Sequence, residues 1–522
     1  MVRLRPEIWV PQEGEEVPIE WFQRRGICLS QNPRIRVFIL SLWAAFVLIA
    51  ISMLYIVMFH EPSARSAAAS EIPHRADIVD RNGRPIALNL PTYDLYIVPK
   101  KMADAERSMK LLERVIAVPD RTRTGRRFLA HRNLSPDMHT AIINIGEPGF
   151  EMIKARDRYY PAKVFSHILG FVDVDNRGIS GIEKYIDEAG MAAEERVFLS
   201  VDTLMQEVLH RHLTRAISSM NAKQAAGIVM DSKTGEILAM VSLPDWPGGR
   251  MAKMDQRFNN HAALSVFEMG SVMKIFNHAM AIENRYPKSA KFNVAAPFMV
   301  GNFRVRDSHP PKPVINMDEA FAFSSNIASA TMARDIGSEK QRAFLEKLGL
   351  FSRIDFELPE RGTPIFPRRW NEHINSTAAY GYGISITMLH FIAAANAIVN
   401  DGMFVRPTLI RQSSPPPLHQ VVRQDTSLEM RRLMRMVMEE GTAVRLGLGS
   451  DDVGGKTGTA LKLAPGGGYH TDKMRTFFFG AYPIDSPRIT FIIMLDEANN
   501  KGCLLAGCTA AEVGGWIIRE IL

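Results

Sequence analysis

Hydrophobic and polar positions divide the chain into three stretches. The run VFILSLWAAFVLIAISMLYIVMF, residues 37–59, is uncharged throughout. At about 1.5 Å per residue it spans about 30 Å of hydrocarbon as a helix. Secretory h-regions are shorter, so the pattern predicts an uncleaved membrane anchor, with cleavage within SARSAAAS as the alternative. Short alternating runs broken by turns follow. In HRADIVDRNGRPIALNL the turn DRNG separates two extended segments, and YDLYIVP alternates as a strand does. RYYPAKVFSHILGFVDVDNRGISGIEKYID mixes a helical stretch with Gly-rich turns.

The pattern changes near residue 222. QAAGIVMDSKTGEILAMVSLP predicts a hairpin of two buried strands around SKTG. Three more strands are predicted from VGGKTGTA, RTFFFGAYP and RITFIIMLDE, with a helix at TAAEVGGWIIREIL. Between these ends lie mostly helical segments, among them SVMKIFNHAMAIEN, NMDEAFAFSSNIASATMARDI and SLEMRRLMRMVMEEGTA. Strands at both ends and helices between them predict an α+β domain whose sheet is assembled from distant segments and covered by helices. SSPPPLHQ, residues 413–420, is read as a surface loop, and no internal repeat is found.

Composition narrows the class. With 46% hydrophobic and 23% charged residues among 522, the chain is globular rather than disordered. Its net charge of +7 lacks a concentrated basic run on a nucleic-acid module, so no nucleic-acid partner is expected. Arg24, Arg25, Arg34 and Arg36 precede the apolar span and His60-Glu61 follows it. The positive-inside rule then makes residues 1–36 a cytoplasmic tail and exports everything after residue 59. Residues 60–220 carry no obvious catalytic set and are read as a non-catalytic β-rich pedestal; residues 221–522 form the catalytic domain. Cys28 falls on the cytoplasmic side. Cys503 and Cys508 fall outside, where a short-loop disulfide or two unrelated thiols are the alternatives. No ligand set for a metal is found.

Candidate chemistry begins at SVFEMGSVMKIFNHA, where Ser271 precedes Lys274 by three residues on one helical face. A lysine among Val, Met, Ile and Phe is desolvated, which lowers its pKa and lets it act as a base toward a serine nucleophile. Ser-Ser-Asn follows at 324–326, and Lys-Thr-Gly-Thr at 456–459 on a predicted strand. The order SxxK, SxN, KTG is the set shared by penicillin-binding proteins and class A β-lactamases. Asp307 and His309 invite a Ser-His-Asp alternative, but the lysines already supply the base.

The resemblance extends from residue 75 to 522. RADIVDRNGRPIA is similar to the opening signature of the non-catalytic module of class B penicillin-binding proteins, and RYYPAKVFSHILGFV and GISGIEKYID to its later ones. DSKTGEILAMVSLPDW and AYGYGISITMLHFIAAANAIVNDG resemble further family segments. Ser-Ser-Asn, the form of the KTGT segment and the single anchor look most like the FtsI-type septal D,D-transpeptidases. The sequence departs from the family at Met269, where Pro is usual, at Tyr382 in place of Gln and at Glu512 in place of Pro.

The resemblance implies a penicillin-binding, serine β-lactamase-like fold and a D,D-transpeptidase that needs no cofactor. Ser271 is then the nucleophile toward a D-Ala-D-Ala stem peptide and Lys274 its base. Ser324 and Lys456 relay the proton to the leaving amine, and Asn326 orients the peptide amide. The N–H groups of Ser271 and Thr459 form an oxyanion hole, and the hydroxyls of Thr457 and Thr459, flanking Gly458, face the donor carboxylate. Implied partners are peptidoglycan stem peptides, β-lactams, a polytopic membrane glycosyltransferase and other division proteins. The competing readings are an elongation-type transpeptidase, a serine D,D-carboxypeptidase or β-lactamase, and a non-catalytic division scaffold.

Overall fold

The computed structural model describes residues 33–59, 75–118, 125–246, 255–301, 303–308, 310–448 and 452–521. The chain divides into two compact units, residues 1–70 and 71–522. Most of the expected cytoplasmic tail lies outside the described residues, as do Cys28, His60, Glu61 and His309.

In the first unit, helix α1 (Pro33–Phe59) covers the uncharged run. Its segment Val37–Leu54 has a mean hydropathy of 2.6, and α1 is the one helix among the described residues long and apolar enough to cross a membrane.

The second unit opens on a five-stranded sheet. Its strands are β1 (Asp77–Val79), β2 (Pro85–Ile97), β3 (Phe128–His131), β4 (Phe150–Tyr159) and β5 (Arg196–Phe198). β2 pairs antiparallel with β1, β3 and β4, and β1 pairs parallel with β5. The DRNG turn forms as read: Asp80 Oδ1 accepts from the N–H groups of Asn82 (2.8 Å) and Arg84 (2.9 Å), and Gly83 takes φ +83°. Glu183, on helix α2 (Gly181–Glu188), is fully buried and accepts from Arg75 Nε at 2.7 Å and Arg158 Nε at 2.6 Å. The stretches RAD, RYYP and GIEKYID therefore converge on one buried ion cluster, and Asp187 adds a second carboxylate to Arg75.

Helix α3 (Thr203–Ser219) leads into β6 (Gln224–Asp231) and β7 (Ile237–Leu243), the predicted hairpin. α3 packs on both strands, so the segment just before residue 221 lies against the sheet of the following domain. The helices of the middle of the chain include α4 (Lys274–Glu283), α5 (Met317–Ala322), α6 (Asn326–Ile336), α7 (Met388–Val399) and α8 (Gln424–Glu439). Strands β8 (Gly454–Leu463), β9 (Tyr469–Tyr482) and β10 (Ile489–Asp496) and helix α9 (Ala510–Ile521) complete the domain. The loop read at 413–420 holds, except that His419 and Gln420 pair with Phe404 and Met403.

The second sheet runs β8-β9-β10-β6-β7, antiparallel throughout, joining the two ends of the domain. Phe477, Phe478 and Phe479 on β9 are fully buried because helices cover both faces. Phe479 meets Phe391 of α7 at 5.8 Å, whereas Phe478 faces α9, where Gly514 leaves no room for a Cβ. β8 lies at the edge of the sheet and carries Lys456, Thr457, Gly458 and Thr459.

Candidate active site

Ser271 sits in a 3-10 turn, Gly270–Met273, and Lys274 opens α4 directly after it. The turn lies on β8 with backbone almost touching backbone. Gly270 takes φ +57°, and a Cβ there would fall 2.5 Å from Thr459 O; a Cβ on Gly458 would fall 2.8 Å from Val272 N. Glycine at both positions is what lets the serine turn seat on the strand. Met269, the departure from the family, is 1% exposed in the main core at φ −89°, so its side chain replaces ring rigidity with burial.

The sequence places Ser-Ser-Asn in a mostly helical stretch, as a polar pair between helices. The structure breaks that stretch between α5 and α6. Ser324 takes φ +63°, unfavourable for a residue with a Cβ, and its hydroxyl and carbonyl meet Lys274. Ser325 caps α6 by accepting from Ala328 N at 3.0 Å. Asp307 accepts from Asn326 N at 2.6 Å, Ile327 N at 3.1 Å and the Ser325 hydroxyl. Asp307 thus anchors the SSN turn; His309, its partner in the alternative triad, lies outside the described residues. A cap 18 positions upstream leaves no local signature, which is why its role was missed.

Lys274 Nζ, in a fully buried side chain, lies 2.9 Å from Ser271 Oγ, 2.6 Å from Ser324 O, 3.1 Å from Ser324 Oγ and 2.7 Å from Asn326 Oδ1. Two of these oxygens only accept. A neutral amine that donates its two protons to Ser324 O and Asn326 Oδ1 keeps its lone pair for the hydroxyls. Burial lowers its pKa to about 7, opposed by the charge of Asp307.

Lys456 is buried too, with Nζ 2.9 Å from Ser324 Oγ and 3.0 Å from Thr457 O. Burial, then the nearby Lys274, pushes its pKa well below the usual lysine value. Ser324 Oγ bridges the two amines, the geometry needed to pass a proton between them and a third group.

On β8 the backbone direction follows from Tyr382, whose hydroxyl accepts from Leu461 N at 3.0 Å, away from the neighbouring strand. Residues two apart point their N–H groups the same way, so Thr459 N–H faces the Ser271 turn. The Thr459 hydroxyl accepts from Ala506 N at 3.1 Å, and its own proton has no acceptor among the described residues. The Thr457 and Thr442 hydroxyls are 2.5 Å apart, so one donates to the other and one proton remains available. Thr442 carries no sequence motif and went unrecognised. Cys503 and Cys508 are joined by a disulfide, and Glu512 accepts from Asn500 Nδ2 at 2.6 Å beside it.

Residues 225–513 match the family described as penicillin binding protein transpeptidase domain, and residues 70–195 match the penicillin-binding protein dimerisation domain. The chain belongs to the penicillin-binding protein transpeptidase family. This penicillin-binding protein is 32% identical to the probable peptidoglycan D,D-transpeptidase FtsI of Caulobacter vibrioides, over 94% of this chain and 89% of that protein. It is 24% identical to the peptidoglycan D,D-transpeptidase FtsI of Escherichia coli, over 92% and 89%. Penicillin binding protein 3 of Mycobacterium tuberculosis, solved in complex with aztreonam, shares the fold with a TM-score of 0.69 at 24% identity, covering 86% of this chain and 97% of that one.

Proposed function

We propose that this penicillin-binding protein is the peptidoglycan D,D-transpeptidase of septal wall synthesis, acting through an acyl ester on Ser271. The observation that carries the reading is the buried lysine whose Nζ stands 2.9 Å from the Ser271 hydroxyl. Ser271 Oγ gives its proton to neutral Lys274 and attacks the carbonyl carbon of the penultimate D-Ala. Negative charge develops on the carbonyl oxygen, which the N–H groups of Ser271 and Thr459 receive. The proton on Lys274 passes through Ser324 Oγ to the peptide nitrogen, the C–N bond breaks, and the terminal D-Ala leaves. An acceptor amine then attacks the ester, its proton returns by the same route, and Ser271 is restored with a new amide crosslink.

Lys456 Nζ holds the Ser324 bridge in place by its hydrogen bond to Ser324 Oγ, and the free hydroxyl protons near Thr457 and Thr459 serve the donor carboxylate. Asn326 Nδ2 donates to Arg306 O, which fixes the amide with Oδ1 toward Lys274 and leaves it at the substrate's edge. A β-lactam enters the same site and stays as an ester on Ser271. The relatives named FtsI favour the septal role over the elongation one. The arginines before the uncharged run at 37–59 support a single-pass anchor with its N-terminus in the cytoplasm. The module before residue 221 is then placed to dock a polytopic glycosyltransferase and other division proteins outside.

Membranes treated with a labelled penicillin test the reading. A single adduct on Ser271, lost in Ser271→Ala, is expected; an adduct elsewhere, or labelling that persists in Ser271→Ala, overturns it. Localisation of the tagged protein at midcell, rather than along the side wall, is expected for the septal role.

A further inference from the structure

The loop closed by the Cys503–Cys508 disulfide grips the two residues on which carboxylate recognition depends. Asn500 and Cys503 exchange both backbone hydrogen bonds at 3.0 Å, and Asn500 Nδ2 donates to Cys508 O at 2.7 Å and to Glu512 Oε2 at 2.6 Å. The disulfide, the Asn500 side chain and α9 thus fasten the loop at its base. Its tip touches the catalytic strand at one point and the segment after α8 at another. Ala506 N donates to Thr459 Oγ1, and a Cβ added to Gly507 would fall 2.6 Å from Thr442 O. Thr442 in turn shares its hydroxyl hydrogen bond with Thr457. Just beyond the tip, the Thr509 hydroxyl lies 3.0 Å from that of Thr476, the residue opposite Thr459 across β8 and β9. One short crosslinked loop therefore backs Thr459 directly and Thr457 through Thr442.

A threonine hydroxyl has one proton and several acceptors within rotation. Ala506 N–H fills the acceptor side of the Thr459 oxygen, which turns the hydroxyl proton away from the loop. We propose that the Cys503–Cys508 loop is a positioning element of the transpeptidase site, holding the Thr459 and Thr457 hydroxyls so that their protons point to the donor carboxylate. The inference rests on the acyl-Ser271 reading above. It makes substrate capture depend on the disulfide, although neither cysteine touches the reacting atoms.

The test uses the full chain in detergent and measures the second-order rate of Ser271 acylation by a carboxylate-bearing labelled penicillin and by its methyl ester. Three perturbations are compared with the untreated protein. One is a dithiol, which transfers two electrons and two protons to the S–S bond and gives two thiols. The others are Cys503→Ser with Cys508→Ser, and Gly507→Ala, which displaces Thr442 with the disulfide intact. Each is expected to slow the carboxylate-bearing penicillin about tenfold, the worth of one hydrogen bond to a charged group, while changing the ester rate far less. Equal loss on both probes, or no loss on either, overturns the positioning role. Absence of any Ser271 adduct in the untreated protein overturns the acyl-serine reading instead, so the two failures are distinct.

Discussion

Two buried clusters in this protein each hold a pair of cations, and they are neutralised in opposite ways. Around Glu183, Arg75 and Arg158 each find a carboxylate oxygen within 2.7 Å. Around Ser324, Lys274 and Lys456 find hydroxyls, an amide oxygen and backbone carbonyls, but no carboxylate within salt-bridge distance among the described residues. Asp307, whose charge Lys274 feels, has its oxygens committed to the SSN turn. The arginines therefore stay charged and lock the N-terminal module, whereas the lysines are driven toward the neutral form in which one of them can take a proton. Burial without a counter-ion is what suits the second cluster to the proposed acyl transfer.

The comparison breaks most sharply at the nucleophile and base. Ser271→Ala and Lys274→Met should each lower acylation by at least about a thousandfold, read from labelled-penicillin kinetics. Neither removes a paired charge, so both proteins should remain folded by circular dichroism. Glu183→Ala is the counterpart in the other cluster. It strands the buried guanidinium of Arg158, leaves Arg75 with Asp187 alone, and should destabilise the protein by about 3–5 kcal/mol in chemical denaturation. The surviving folded fraction should still acylate at the normal rate. A Glu183→Ala protein as stable as the parent would remove the distinction between the clusters.

Two smaller effects sharpen it. Reducing the Cys503–Cys508 bond, which closes a loop of short sequence separation, should cost about 2 kcal/mol of stability, seen as a lower melting temperature. Asp307→Asn removes the one nearby carboxylate that favours protonated Lys274. The Lys274 pKa should fall further, moving the acid limb of the acylation profile to lower pH. The weakened cap on α6 should cost about 1 kcal/mol.

The sequence made legible what rests on local pattern. The α1 span, the β6-β7 hairpin, the three C-terminal strands and the order of Ser271, Ser324, Asn326 and Lys456 all follow from periodicity or from short motifs. What it left unread depends on contacts between distant segments. A polar pair between helices is legible in AFAFSSNIAS, but the left-handed backbone of Ser324, held from Lys274 and Asp307, is not. Thr442 matters only because Gly507 and Thr457 meet it, and Gly507 matters only because the chain folds back onto β8. Tyr382 and Glu512, noted as departures, each hold a specific partner, Leu461 N and Asn500 Nδ2, that no one-dimensional pattern displays.

The central claim is that Lys274 works as a neutral base because it is buried without a carboxylate partner, and the pH dependence of Ser271 acylation tests it most directly. With the Lys274 pKa lowered to about 7, the protonated amine below that pH cannot accept the serine proton. The second-order rate for a β-lactam whose own charge is constant should climb about tenfold per pH unit in the acid range and level off above about pH 7. A flat profile, or one still rising toward the ordinary lysine value of 10.5, would contradict the account.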